Sequence, residues 1–153
     1  MEELRYRAII EDVKPSINGG EFAIKRVVGD TVKLTADVFG DGHDIVNAHL
    51  LYKHDSEKTW KKVPMSPVVN DLWEVEFEVK KLGFYTYRMD AWVDYALNWQ
   101  HEIKRQIEDD QHVESELLDG VKYLKAVKAK KHQAYLKEAA TAFEAKRSYK
   151  KAI

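Results

Sequence analysis

Apolar and polar side chains alternate through much of the first hundred residues, as expected for strands that bury one face. Between residues 31 and 38, valine, leucine and alanine take the even positions, and threonine, lysine and aspartate take the odd ones. Seven strands are predicted on this basis, at residues 5–12, 22–28, 31–39, 48–54, 60–65, 72–79 and 84–93. Turn-forming glycine, proline, asparagine and aspartate residues separate them. The pattern therefore predicts an immunoglobulin-like or fibronectin III-like β-sandwich.

Residues 97–107 fit two patterns. Alternate residues from Leu97 to Ile107 form one face of a strand, whereas Trp99, Ile103 and Ile107 are spaced four apart, as on a helix. We predict a strand here, because the sandwich otherwise lacks a closing edge.

From Val113 onward the apolar period becomes helical. The stripe consists of Val113, Leu117, Leu118, Val121, Leu124 and Val127. Glutamates near its start and lysines near its end complement the helix dipole. A second helix is predicted over residues 133–150, after a turn at 130–132, with inward-facing Tyr135, Leu136, Ala139, Ala142 and Phe143. The chain is therefore predicted to be mainly β with α, a β-sandwich followed by a helical hairpin.

Charge divides the chain in the same way. Residues 1–102 carry 13 Lys and Arg against 18 Asp and Glu, a balance of −5, whereas residues 103–153 carry 12 against 8, a balance of +4. This asymmetry indicates a boundary near residue 110. We predict a sandwich domain at residues 1–109 and a helical appendage at 110–153.

Composition indicates a cellular compartment and excludes several kinds of functional site. The 153 residues contain no cysteine, which excludes disulfides, thiol nucleophiles and thiolate metal sites, and favours a reducing compartment. The N-terminus lacks a signal-peptide pattern, and no apolar run is long enough to span a membrane. Cytoplasmic localisation is the resulting expectation.

Few residues suggest catalysis or metal binding. Asp41, His43 and Asp44 contain metal-ligating atoms, but their spacing matches no metal motif, so a polar turn is the preferred interpretation. There is no His-Glu-X-X-His pattern and no glycine-rich phosphate loop. Glu74, Glu76 and Glu78 alternate along one strand and indicate a solvated face. We predict no catalytic residue, no metal site and no cofactor.

The aromatic residues are the better candidates for recognition. Trp73 begins an apolar strand face and is predicted to lie in the core. Trp60, Phe84 and Trp92 are candidates for an exposed patch that contacts another domain or stacks on a glycan, with domain contact preferred. On the first helix the corresponding candidates are Leu117, Leu118 and Val121.

The lysine-rich tail suggests two further classes of binding partner. Its basic residues include Lys122, Lys125, Lys128, Lys130, Lys131 and Lys137. Nucleic acid and anionic membrane both bind such surfaces. Glu138, Glu144 and the acidic sandwich dilute the positive charge, so a solvated helix face is preferred. We predict neither a nucleic-acid nor a membrane partner.

A family resemblance adds what these patterns do not. The stretch Gly-Gly-Glu-Phe-Ala-Ile-Lys-Arg-Val-Val-Gly-Asp at residues 19–30, followed by Ala-Asp-Val-Phe-Gly-Asp-Gly-His-Asp at 36–44, carries it. Shorter matches follow in order to Leu-Leu-Asp-Gly at 117–120. Over roughly residues 6–125 the chain resembles the N-terminal β-sandwich domain of the alpha-1,4-glucan:maltose-1-phosphate maltosyltransferases, enzymes of the alpha-amylase superfamily. Asn98-Trp99-Gln100 departs from the family's Thr-Trp-Arg, and the tail after Lys125 matches nothing in it.

The resemblance implies an accessory role. The family's catalytic barrel, with its aspartate nucleophile and glutamate acid, has no counterpart in these residues. In such enzymes the barrel transfers maltosyl units from maltose-1-phosphate to an α-glucan. The chain is therefore expected to assist domain assembly and homodimerisation, with the catalytic domain of the same polypeptide as partner and Asp41, His43 and Asp44 as a domain-contact loop. The alternative is a free-standing module that binds α-glucan.

Overall fold

The computed structural model describes residues 7–128 and 132–144, which form two compact units that divide between Val93 and Asp94. The first unit contains seven strands. They are β1 (Ala8–Lys14), β2 (Thr31–Gly40), β3 (Val46–His54), β4 (Lys61–Pro64), β5 (Ser66–Val69), β6 (Leu72–Glu78) and β7 (Tyr85–Val93). A short 3₁₀ helix, Asn18–Gly20, follows β1.

The strands form two antiparallel sheets. One has the order β1-β2-β6-β5 and the other has the order β4-β3-β7. Their registers place Leu34 opposite Val75 in the first sheet and Leu50 opposite Met89 in the second. This arrangement confirms the predicted β-sandwich.

The core of the first unit is formed by the alternating residues that the sequence pattern singled out. The fully buried members include Leu34, Val38 and Leu50, and Trp73 is 7% exposed. Full burial of a leucine side chain is worth about 1.5–3 kcal/mol. The buried cluster comprises Val32, Leu34, Ala36, Val38, Ala48, Leu50, Met65, Trp73, Val75, Phe77 and Val79.

The predicted strand at residues 22–28 is wrong. Phe22 forms an isolated bridge with Ile17, and the rest of the segment pairs with no strand of the described chain. The reason is that β1 and β6 occupy both edges of β2, so the preceding segment cannot form a hairpin with it. Conversely, β5 was not predicted, because Pro64 and Pro67 flank and interrupt it, and proline in strands is confined to edges.

The second unit contains three helices, α1 (Tyr95–Glu108), α2 (Glu114–Ala126) and α3 (Gln133–Glu144). The predicted strand at 97–107 is therefore wrong, and the helical alternative is correct. The Asp94 carboxylate accepts the Leu97 N–H at 3.0 Å and caps α1, while Ile103 is 1% exposed. Because α1 belongs to the helical unit, the structural division falls after Val93 instead of near residue 110.

The core of the helical unit comprises Ile103, Val113, Leu117, Val121, Ala140 and Phe143, with Trp99, Ile107 and Leu124 packed against it. Tyr135, predicted to face inward, is exposed instead. The predicted turn lies outside the described residues except for His132, and so does the predicted end of the second helix at 145–150.

Candidate interaction surfaces

Trp60 and Trp92 lie on the outer face of the β4-β3-β7 sheet. Trp92 is on β7, opposite Asn47 of β3, and Trp60 directly precedes β4. Strand β3 runs between β4 and β7, so cation–aromatic contacts that link the outer strands must cross it. We call this surface the tryptophan face.

Basic side chains cover both indoles of the tryptophan face. Lys53 Nζ lies 4.9 Å and the Arg88 guanidinium carbon 5.3 Å from the centre of the Trp60 ring. Lys62 Nζ lies 5.7 Å from the Trp92 ring. Each such contact is worth about 0.5–1 kcal/mol at an exposed site. The Trp60–Arg88 and Trp92–Lys62 contacts cross β3 in opposite directions and tie the three strands together.

His49 of β3 lies beside these contacts, with its ring 4.5 Å from that of Trp92. Burial, followed by the positive charge of Lys62, lowers the pKa of His49, and Asp90 opposes this shift. Its Nδ1 atom is buried without a hydrogen-bond partner among the described residues. The environment of His49 therefore favours the neutral imidazole, and its unpaired Nδ1 is covered by the surrounding residues.

Phe84 lies elsewhere. It is 70% exposed and lines a groove of about 1440 Å³ along the outer edge of β7. One wall consists of residues 83–89 and the other of residues 19–27, with Val32, Phe77 and Val79 also lining the groove. We call this feature the β7 groove. The structure therefore separates the predicted patch into two surfaces.

The loop with Asp41, His43 and Asp44 is a polar turn. Arg7 is 3.6 Å from the Asp41 carboxylate and 2.5 Å from that of Asp44, while the Asp44 N–H donates to the Asp41 carbonyl. His43 is exposed. Within residues 7–128 and 132–144, no group of three His, Asp or Glu side chains is arranged to hold a metal ion. Arginine therefore holds the two aspartates in the loop.

The helical candidates need correction. Leu117 and Val121 are 2% and 6% exposed in the core of the helical unit, so neither offers an interaction surface. Their spacing indicated a stripe, but the stripe packs within its own unit, against α1 and α3. Only Leu118, which is 45% exposed, remains accessible.

The charged residues lie mainly on solvated faces. Glu74, Glu76 and Glu78 alternate with the buried residues of β6, and Lys33 pairs with Glu74 at 2.6 Å. On the helices, Lys122 pairs with Asp119 and Lys125 with Glu144. None of the three described helices has the length and apolarity required to cross a membrane.

Sequence analysis identified the two tryptophans but not the cations that cover them. Lys53, Lys62 and Arg88 lie on three different strands or strand ends, and their meeting depends on the register of β3 with both neighbours. The only local indication was the even spacing of Arg88 and Trp92 along β7, which points both side chains outward.

Comparisons with known proteins extend this description. A family model described as alpha-1,4-glucan:maltose-1-phosphate maltosyltransferase, domain N/S, matches residues 6–153. A protein of that enzyme name from Methylacidiphilum infernorum is 36% identical over 117 residues, which cover 76% of this chain and 18% of the relative. The Chlorobaculum tepidum protein is 38% identical over 132 residues, covering 85% and 20%.

A third relative agrees with these two. The maltosyltransferase of Salinibacter ruber is 39% identical over 121 residues, covering 77% of this chain and 18% of the relative. The chain thus spans about a fifth of the length of the curated relatives that it matches. It belongs to the domain N/S family of the alpha-1,4-glucan:maltose-1-phosphate maltosyltransferases.

Proposed function

We propose that this chain is the non-catalytic N-terminal domain of a cytoplasmic maltosyltransferase of the alpha-amylase superfamily. The whole enzyme would extend α-1,4-glucans with maltosyl units from maltose-1-phosphate. The observation that carries the proposal is the family match over residues 6–153, combined with the small share of each relative that the chain represents. The cysteine-free sequence supports the cytoplasmic assignment.

The arrangement of the carboxylates supports a non-catalytic role. Retaining and inverting glycoside hydrolases use two carboxyl groups that flank the glycosidic bond. Along β6, Glu74, Glu76 and Glu78 instead project in one direction, and Lys33 neutralises Glu74. The reacting carboxylates would therefore belong to the catalytic domain of the same polypeptide.

The tryptophan face supports a role in assembly. Tryptophan and arginine dominate the energetics of protein interfaces, because they combine large apolar area with directional polar groups. Here the Arg88 guanidinium lies over the Trp60 ring, and the Trp92 ring lies 4.5 Å from that of His49 on the same face of the sheet. We propose that this face contacts a second copy of the chain across a two-fold axis, the commonest symmetry of homo-oligomers.

Binding of α-glucan is the competing function. Sugar rings stack on open aromatic faces, whereas Lys53 and Arg88 lie over the Trp60 ring and Lys62 lies over that of Trp92. A glycan would have to displace these side chains. The contacts therefore weigh against stacking of a sugar ring on either indole.

Two measurements test the proposal. The isolated chain, incubated with maltose-1-phosphate and maltoheptaose, should release no phosphate, and it should sediment as a dimer. In Trp60→Ser/Trp92→Ser the dimer should dissociate at concentrations at least tenfold higher than in the wild type, because the double change removes the two largest anchors of the face. Val69→Ser, a change at an exposed residue on the other sheet, is the matched control and should leave the dimer intact.

The outcomes separate the alternatives. Phosphate release by the isolated chain would overturn the non-catalytic role. A strictly monomeric wild type, or a double variant that dimerises like the control, would remove the tryptophan face as a dimer contact. Titration calorimetry that detects maltoheptaose binding, abolished by Trp92→Ser, would favour the glycan-binding module. A gene whose reading frame encodes no catalytic domain would also favour the glycan-binding module.

A further inference from the structure

The β7 groove lies beside an open sheet edge. Strand β7 is the terminal strand of the β4-β3-β7 sheet, and no strand of the described chain pairs with its second edge. The opposite wall is the segment of residues 19–27, in which Phe22, Ala23 and Val27 are exposed and Ile24 is partly buried. Phe22 and Val27, at 55% and 70%, and Phe84 on the β7 side give the groove an apolar mouth.

The register shows which backbone groups face the groove. The Asp55 N–H donates to the Phe84 carbonyl at 2.9 Å, so the even-numbered residues of this region direct their backbone groups towards β3. In an antiparallel pair the intervening residues point the other way. The backbone N–H and C=O groups of Tyr85, Tyr87 and Met89 therefore point into the groove. Residues 84–89 offer about 20 Å of edge, at ~3.3 Å per residue.

Side chains around the groove set the chemistry of an added strand. Its inward-facing residues would lie beside Tyr85, Tyr87 and Met89, which are partly buried against the sandwich core, and so would be apolar. Its outward-facing residues would lie close to the opposite wall, where Lys25 and Arg26 are located, and beside Arg88, which also contacts Trp60 and lies 3.6 Å from the Asp90 carboxylate. Asp30 accepts the Val27 N–H and Glu21 the Asn18 amide, which leaves both carboxylates charged, but no acidic residue of the described chain forms an ion pair with Lys25 or Arg26. Opposite charges across strands are favourable, so these outward residues would be acidic.

We propose that the β7 groove binds an extended segment of a partner protein, which adds to β7 as a further strand and alternates apolar with acidic residues. Strand addition of this kind takes its affinity from main-chain hydrogen bonds and its selectivity from alternate side chains. The groove shares Arg88 with the tryptophan face but follows the free edge of β7 instead of the outer face of the sheet, so this inference goes beyond the proposed function and does not require it.

A synthetic peptide tests the inference. The probe is acetyl-Glu-Val-Glu-Val-Glu-Val-amide, and the comparison peptide replaces each glutamate by lysine. Titration calorimetry with the full chain should show about tenfold tighter binding of the acidic peptide, and Lys25→Glu/Arg26→Glu should remove this preference. Lys104→Glu/Arg105→Glu, at two exposed positions on α1, is the control with the same charge change and should not alter binding.

Backbone methylation gives the signature of strand addition. N-methylation of the valines and N-methylation of the glutamates remove alternate sets of donors without changing any side chain. N-methylation of one residue type should abolish binding of the peptide, and N-methylation of the other type should have little effect on it. Hydrogen exchange should slow at the amides of Tyr85, Tyr87 and Met89 when the acidic peptide is bound.

Several results would overturn the inference. The first two are absence of binding at millimolar peptide and equal loss of binding in both methylated series. Protection of residues 85–89 that grows with protein concentration alone would assign the groove to a second copy. Protection of residues 22–28 together with 85–89 in dilute free protein would mean that the segment itself pairs with β7. None of these outcomes depends on the Trp60→Ser/Trp92→Ser experiment, so the two proposals can fail separately.

Discussion

Gly120 is the position where the addition of one methyl group should most clearly damage the helical unit. A Cβ atom there would lie 2.6 Å from Trp99 Cη2 and 2.9 Å from Cε2, and closer still to Cζ2. Carbon atoms in favourable contact are about 3.5–4.0 Å apart. The indole cannot move away freely, because its Nε1 donates to the Glu116 carbonyl at 2.6 Å and its ring lies 5.9 Å from that of Phe143.

Opposing effects determine the size of the change in Gly120→Ala. Alanine favours a helix over glycine by about 1 kcal/mol. Overpacking of a core costs about 1–3 kcal/mol, and loss of the Trp99 hydrogen bond would cost about 1 kcal/mol more. The two costs exceed the gain. We therefore expect the free energy of unfolding of the helical unit to fall by about 1–3 kcal/mol.

Urea unfolding, followed by circular dichroism at 222 nm, measures this change, because the helices dominate the signal at that wavelength. Hydrogen exchange at the amides of α1 and α2 assigns the loss to the helical unit and separates it from the sandwich. The amides of β2 and β3 should exchange as in the wild type.

A double-mutant cycle supplies the control. Trp99→Leu removes the ring atoms that a Cβ at position 120 would meet, so Gly120→Ala in that background should stabilise the helical unit by about 0.5–1 kcal/mol. The reasoning is refuted if Gly120→Ala stabilises the wild-type protein. It is also refuted if the two changes are additive within about 0.5 kcal/mol.

Three further predictions, one of them with a matched glycine control, test the sandwich. Gly83→Ala combines a φ of +133° with a Cβ only 2.5 Å from His54 Nε2, so urea unfolding should show a loss of about 1–3 kcal/mol. Gly29→Ala, with a φ of +98° and open space around the added Cβ, should lose less stability. Equal losses of stability in the two variants would show that the contact with His54 contributes nothing. Leu34→Ala should cost about 2–5 kcal/mol by the same assay, because the side chain is fully buried, and a loss below 1 kcal/mol would contradict the core assignment. His49→Gln tests pH dependence: the folded-state pKa of His49 is lowered, so the unfolded chain binds the proton more tightly and wild-type stability falls as pH drops below about 6.5. The variant should lose less stability than the wild type between pH 7.5 and 5.5, and an identical pH profile would exclude His49 as a source.

The sequence by itself determined the parts of the fold that depend on local period. The alternation at residues 31–39 and 72–79 located β2 and β6 to within one residue and assigned Leu34, Val38 and Trp73 to the buried face. This succeeded because successive side chains of a strand point to opposite faces whatever the strand pairs with. The helical stripe from Val113 was confirmed in part, because residues three and four apart share one face of a helix: Leu117 and Val121 are buried, whereas Leu118 is 45% exposed.

Tertiary structure decided the features that depend on pairing. Residues 22–28 have the composition of a strand, yet β1 and β6 already occupy the edges of β2, and the segment becomes a wall of the β7 groove. Residues 97–107 carry both periods, and burial of Ile103 within the helical unit selects the helix.

For the candidate interaction surfaces, too, the sequence determined some features and the tertiary structure decided the others. Sequence identified Trp60, Phe84, Trp92 and Leu118 as available apolar residues, and all four are at least partly exposed. It did not show that Leu117 and Val121 are buried in their own unit, or that Arg88 and Lys62 reach across β3 to the two indoles. The face of a strand on which a residue lies follows from its position in the local sequence. In contrast, strand register, the pairing of strand edges and the packing of helices are set by residues distant in sequence. Only the assembled sheets and helices bring those residues together.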